Sequence, residues 1–145
     1  MTEGKSDILA YAIENFTKFG SKRFSMDELA TNLGISKKTL YKHFNSKEKL
    51  VKESFQFYLD KVRNDIDVYI LQNPNEEQPL TTIIYIYKRG LISFQELNPS
   101  FLYGLNKYYP KAYQIYSQLK KDIVWNVVCP LLKKAQVLGQ VRTNV

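Results

Sequence analysis

Apolar residues recur every three or four positions along most of the chain, and this spacing predicts helices throughout. The first helix should run from Ile8 to Phe19 and cover the elements that follow with one broad apolar face. A longer helix, at about residues 46–71, would span roughly 40 Å and could join two parts of the molecule. Further helices are predicted at about 79–97, 100–108 and 111–138. Pro130 should kink or divide the last of them. The pattern therefore predicts an all-α protein.

Between residues 25 and 50 the pattern changes to two short helices separated by Gly34. Ser25 and Glu28 have the spacing of a capping box, in which each side chain satisfies a backbone N–H at the start of a helix. Gly34 can adopt the left-handed conformation of a tight turn, and Ser36 is placed to cap the second helix. The segment therefore predicts a helix-turn-helix.

The second short helix should have one buried and one exposed side. Leu40 and Phe44 continue the apolar, buried side. The exposed side is rich in lysine and suits the DNA major groove, which admits one helix and displays hydrogen-bond acceptors and thymine methyl groups. The residue that opens the next helix lies where backbone N–H groups and the helix dipole favour a phosphate. The predicted DNA-binding residues are Ser36, Lys37, Lys38, Thr39, Tyr41, Lys42, His43 and Lys47.

The distribution of charge supports this prediction. Residues 36–52 contain six lysines and one glutamate, whereas the whole chain of 145 residues carries a net charge of +7. A lysine-rich run is often only a solvated surface, but this one is centred on the predicted recognition helix, which favours nucleic acid as the partner. Residues 100–145 hold seven basic residues against one acidic residue. We interpret that second excess as a solvated surface that attracts DNA in general, with an anionic ligand as the alternative.

The residues that carry the helix-turn-helix also carry a family resemblance. Phe16, Phe19 and Gly20 close the first helix, and the run TLYKHFNSKEKL follows at residues 39–50. This arrangement resembles the TetR family of bacterial transcriptional regulators, with its threonine-leucine-tyrosine run, its histidine-phenylalanine pair and its serine-lysine-glutamate helix start. The likeness is specific over about residues 6–55 and architectural beyond them.

The resemblance implies two domains and a dimer. Residues 1–50 would form a three-helix DNA-binding domain and residues 51–145 a helical ligand-binding and dimerisation domain. Family members usually continue with two further helices that pair with a second subunit, and residues 139–145 resemble the connector before those helices. We therefore expect the chain to be C-terminally truncated, with a naturally short variant as the alternative. A homodimer would read a palindromic operator in double-stranded DNA with recognition helices about 34 to 36 Å apart.

Aromatic residues are concentrated in the second half of the chain. These rings could fill a helical core with their hydroxyls at the surface, or they could line a pocket for a flat or apolar small molecule. The resemblance favours a pocket for an inducer, and it implies a repressor that releases its operator when this effector binds. The candidate ligand-binding residues are Tyr87, Phe94, Tyr103, Tyr113 and Trp125.

Composition argues against several other classes of protein. One cysteine, Cys129, cannot form an internal disulfide, and with a single histidine it is a poor basis for a zinc site. The chain lacks a nucleophile with a partnering base and a glycine-rich phosphate loop, so we expect neither an enzyme nor a cofactor. No apolar run reaches membrane-spanning length and the N-terminus has no signal-peptide pattern, which favours a cytoplasmic protein without a membrane partner. The alternative function is a protein-interaction or membrane-surface module that uses the basic face on acidic partners.

Overall fold

The computed structural model describes residues 4–74 and 77–144. Within these two ranges the chain forms eight α-helices and one π-helical segment, without a β-strand, which confirms the predicted all-α class. The helices are α1 (Lys5–Phe19), α2 (Met26–Leu33), α3 (Lys37–His43), α4 (Lys47–Gln72), α5 (Pro79–Leu97), α6 (Pro99–Tyr108), α7 (Pro110–Ile123) and α8 (Cys129–Val137), and the π-helical segment is Val124–Val128.

Serine side chains begin the three helices α2, α3 and α4. The hydroxyls of Ser25, Ser36 and Ser46 each accept the backbone N–H three residues later, at 3.1, 3.0 and 3.1 Å. Within the described residues, Glu28 does not return a bond to the Ser25 N–H, so the predicted capping box is wrong in its second half. The Glu28 carboxylate instead acts electrostatically on Lys47 at the start of α4. The serine caps alone therefore fix where these helices start.

The turn between α2 and α3 has the predicted geometry. Gly34 lies in the left-handed region at φ 71° and ψ 24°, and its N–H bonds to the carbonyl oxygens of Ala30 and Thr31. The Ile35 N–H returns to the Ala30 carbonyl at 3.1 Å, which completes a Schellman-type helix end. These bonds set the direction in which α3 leaves α2.

One cluster of buried side chains connects α1 through α4 with α6 and α7. The apolar face of α1, including the fully buried Phe16, packs mainly on α4 and makes a smaller contact with α2. The prediction that α1 covers the helix-turn-helix is therefore revised. α1 covers α4 instead, because the long α4 offers more apolar surface than the short α2 and α3. Phe19 is 46% exposed rather than buried, and it packs edge-on against Phe24 with 5.6 Å between ring centroids.

Polar contacts join α4 to the helices that follow it. The Arg89 guanidinium on α5 donates to Asp65 of α4 at 3.0 Å, and only 14% of the Arg89 side chain is exposed. The guanidinium of Arg63 on α4 donates to Asp122 of α7. A shift of α4 would therefore have to rearrange contacts with both α5 and α7.

The last predicted helix is divided earlier than expected. In the π-helical segment the Cys129 N–H bonds to the Val124 carbonyl, five residues back, and the backbone stays right-handed helical at both ends. Pro130, in the first turn of α8, has no N–H, and in a regular α-helix its ring would clash with the carbonyl of residue 126. The wider π turn accommodates this proline while the chain stays helical. The predicted segment from 111 to 138 is thus divided into two α-helices, one of the two expected outcomes, and the division lies at 124–128, just before Pro130.

Candidate nucleic-acid interface

The eight predicted DNA-binding residues lie on or beside α3. Leu40 and Phe44, on the opposite side of this helix, are completely buried and fix its rotation about its own axis. His43 and Lys47 are half-buried. The exposed members of the set are Ser36, Lys37, Lys38, Thr39, Tyr41 and Lys42. The fold therefore gathers six of the eight side chains at the surface of one short segment.

Ser36 and Thr39 interact with each other at the start of α3. The Ser36 Oγ accepts the Thr39 N–H at 3.0 Å and lies 2.8 Å from the Thr39 Oγ1. Both side chains are exposed, so each hydroxyl keeps free bonding capacity toward solvent. In this structure Ser36 acts first as a helix cap.

Lys37 has a partner that the sequence did not reveal. Its Nζ lies 3.2 Å from a carboxylate oxygen of Asp27 on α2, and both side chains are more than 60% exposed. Exposed ion pairs of this kind contribute at most about 1 kcal/mol and are screened by salt. A phosphate could therefore compete with Asp27 for this lysine.

Lys47 lies in a mixed environment at the start of α4. Burial lowers the pKa of its ammonium, the nearby Glu28 carboxylate raises it, and the positive charge of Lys22 lowers it further. Lys22 belongs to the loop between α1 and α2 and was not among the predicted residues, because 25 positions separate it from Lys47 in the sequence. The structure thus adds a cation beside the position where we predict a phosphate.

The five aromatic candidates for ligand binding are not brought together. Tyr103 and Trp125 are 72% and 69% exposed, and Tyr87 and Phe94 are also exposed. Tyr113 is half-buried and packs against the main core cluster. These rings occupy several helix surfaces because their spacing places them on the outward sides of α5, α6 and the π-helical segment. Their role in ligand binding stays a prediction.

A groove between α4 and α7 has a volume of about 990 Å³. Leu59 and Leu119 contribute to its lining, and most of the other lining residues are polar. The charged side chains in its walls are Lys52, Asp60, Arg63, Lys111, Lys121 and Asp122. The lining of this groove is thus charged rather than aromatic.

Two kinds of feature are absent from residues 4–74 and 77–144. No three histidine, cysteine, aspartate or glutamate side chains are grouped there in a way that could hold a metal ion. No helix within these ranges is both long and apolar enough to cross a membrane.

Comparison with known proteins identifies the fold of the N-terminal part. The family described as bacterial regulatory proteins, tetR family, matches residues 8–54. Over this segment the chain is similar to the TetR family. The matched segment runs from α1 into the first turns of α4 and contains all eight predicted DNA-binding residues. The molecule therefore has an N-terminal helix-turn-helix domain that is similar to the TetR family model, followed by a helical domain.

Several curated proteins are also similar to the chain. The chain is 27% identical to the uncharacterized HTH-type transcriptional regulator YvaF of Bacillus subtilis, over 82% of this chain and 61% of that protein. It is 34% identical to the nucleoid occlusion factor SlmA of Sodalis glossinidius, over 55% of this chain and 38% of that protein. It is 36% identical to the HTH-type regulator YerO of B. subtilis, over 44% and 22%. The chain thus spans less than two thirds of each of these relatives, and no solved structure matches it significantly.

Proposed function

We propose that the protein is a sequence-specific DNA-binding transcriptional regulator that reads a palindromic operator as a homodimer. The observation that carries this proposal is the face of α3, where six of the predicted residues are exposed above the buried Leu40 and Phe44. A helix whose buried side is packed on the core and whose exposed side is polar can enter the major groove without unfolding any part of the core. The names of the relatives YvaF and YerO, both HTH-type transcriptional regulators, agree with this function.

The residues of this face would make different kinds of contact with DNA. Lys38 and Thr39 would contact base edges, because lysine can donate to the guanine acceptors and the threonine methyl group can contact thymine. Tyr41 and Lys42 would reach base edges or phosphates, and Lys47 a phosphate. We propose the domain division at residue 50, with the DNA-binding domain before it.

We further propose that a small-molecule effector releases the operator, as a repressor would require. The support is the position of α4, which is separated from the end of α3 by three residues and forms one wall of the 990 Å³ groove. A ligand that prefers one arrangement of α4 and α7 would shift the direction in which the recognition helix points. It can do so only to the extent of its differential affinity for the two arrangements. Such a regulator would act in the cytoplasm, where bacterial DNA lies.

The DNA-binding proposal is tested by fluorescence anisotropy with the duplex upstream of the gene and with a scrambled duplex, at physiological salt. We expect a preference of about a thousandfold or more for the upstream duplex. Lys38→Ala should reduce that preference, because it removes a predicted base contact. Lys88→Ala is the matched control, because Lys88 is an exposed lysine on α5 at a distance from the predicted DNA-binding residues. The next residue in the sequence, Arg89, pairs with Asp65. Asp65 lies about 27 Å along α4 from Lys47.

The outcomes separate the proposed regulator from its alternative. Equal losses for Lys38→Ala on both duplexes would make this lysine a phosphate contact instead of a base contact. Equal, salt-sensitive binding of the unaltered protein to both duplexes would favour a module that uses its basic face on acidic partners. For the effector, compounds are screened for a rise in melting temperature and then for release of DNA. A broad screen without either effect would contradict the sensor role.

A further inference from the structure

Two lysines that are distant in the sequence meet at one aromatic ring. The Nζ of Lys22, in the loop between α1 and α2, lies 3.7 Å from the centroid of the Tyr108 ring. The Nζ of Lys107, in the last turn of α6, lies 5.2 Å from the same centroid. All three side chains are exposed. The helix-turn-helix part and the second domain therefore present two ammonium groups around one phenol.

The positive charge of this cluster has no ion-pair partner in the described part of the chain. Among residues 4–74 and 77–144, no carboxylate forms an ion pair with Lys22 or Lys107. Lys107, and after it Lys22, lower the pKa of the Tyr108 hydroxyl, so both charges are felt at this oxygen. Like charges held close together favour the arrival of an anion.

The cluster lies beside the start of α4. The charge of Lys22 acts on Lys47, the first residue of that helix, in addition to the effect of burial. At the next position along the chain from Tyr108, burial and then the Glu48 carboxylate raise the pKa of Tyr109. Tyr109 also packs against the buried cluster to which Leu50 and Val51 of α4 contribute, so the C-terminal end of α6 lies on the same core as the start of α4.

We propose that Lys22, Lys107 and Tyr108 bind a phosphate of the DNA backbone, adjacent to the phosphate predicted at Lys47. This inference rests on the proposed DNA-binding function and extends it, because Lys107 and Tyr108 belong to the second domain. Two ammonium groups and a phenol O–H are donors that form charge-assisted hydrogen bonds with phosphate oxygens. The contact carries no sequence information, and it makes the position of α6 sensitive to whether DNA is bound.

The experiment measures how DNA affinity depends on salt for a random duplex of about 30 base pairs, so it does not require the operator. Neutralising one phosphate contact lowers the slope of log K against log salt by about 0.9. When KCl is raised from about 50 to 200 mM, the DNA affinity of both proteins falls. The factor by which it falls should be about 3.5 times smaller for Lys107→Gln than for the unaltered protein. Lys22→Gln should behave in the same way, since both ammonium groups face the same phosphate.

Two further variants keep the test specific. Lys107→Arg preserves the charge and should retain the slope of the unaltered protein, whereas Lys88→Gln removes an exposed charge on α5 and should also leave the slope unchanged. Melting temperatures of all variants are measured without DNA, and we expect them to be nearly equal because these side chains are exposed.

The inference and the proposed function fail in different ways. If the protein binds DNA and Lys38→Ala weakens that binding, but Lys107→Gln keeps the full salt slope, the phosphate contact at α6 is refuted while the regulator stands. A loss of slope in Lys107→Arg would equally refute it, because the charge would then not be the cause. If the unaltered protein binds no DNA, the proposed function itself is refuted.

Discussion

The turn at Gly34 gives a prediction whose size follows from the structure. Gly34 has φ 71° and ψ 24°, a conformation that residues with a Cβ adopt at a cost. A Cβ built at this position meets no atom within 4 Å. The substitution Gly34→Ala should therefore cause no steric clash, and only the backbone conformation should matter.

The expected loss of stability combines two terms. The left-handed conformation costs an alanine about 1 to 2 kcal/mol. Alanine also lowers the conformational entropy of the unfolded chain, and this stabilises the folded protein by about 0.4 to 1 kcal/mol. The net destabilisation should be about 1 kcal/mol, or a fall of about 2 to 4 °C in melting temperature for a chain of this size. Gly34→Asn should lose less, because asparagine tolerates this conformation better than alanine.

Urea unfolding followed by far-ultraviolet circular dichroism measures this difference, with the binding of DNA by the folded protein as a second readout. Because the native turn is over-determined by the caps on both sides, DNA affinity should change little. An unchanged urea midpoint in Gly34→Ala would refute the left-handed turn. A loss of stability above about 3 kcal/mol would mean that the alanine Cβ clashes with a neighbouring atom, which would contradict the open space around Gly34.

Three other predictions concern α3 and α7. Ser36→Ala should cost about 1 kcal/mol in urea unfolding, because the Thr39 N–H loses its acceptor, and Ser36→Asp should retain most of the stability. Leu40→Ala should cost about 2 to 5 kcal/mol, since this side chain is completely buried, and a loss below 1 kcal/mol would contradict the packing of α3. Bonds from Asn126 and then Arg63 lower the pKa of Asp122, so its stabilising effect is present above the unfolded carboxyl pKa and disappears as pH falls through the folded pKa. The difference in melting temperature between the unaltered protein and Asp122→Asn should accordingly be largest at neutral pH and shrink in acid; a difference independent of pH would contradict this.

The helix-turn-helix was predictable because its signals are local. A serine cap, a glycine turn and a buried leucine act over three or four residues, and the structure confirms Ser36, Gly34 and Leu40 in these roles. The failed prediction at Glu28 shows the limit of such patterns. Its carboxylate could satisfy the Ser25 N–H or face Lys47, and the choice depends on where α4 passes.

The sequence by itself determined the helical class, the helix-turn-helix and most of the residues exposed on α3, because each follows from periodicity and capping within one segment. Only the tertiary structure decided the pairing of Lys37 with Asp27 and the meeting of Lys22 with Tyr108. It also decided that Tyr103 and Trp125 face solvent and that a charged groove adjoins α4. These contacts depend on how whole helices are oriented against each other, and that orientation is set by the summed burial of many side chains rather than by any short pattern.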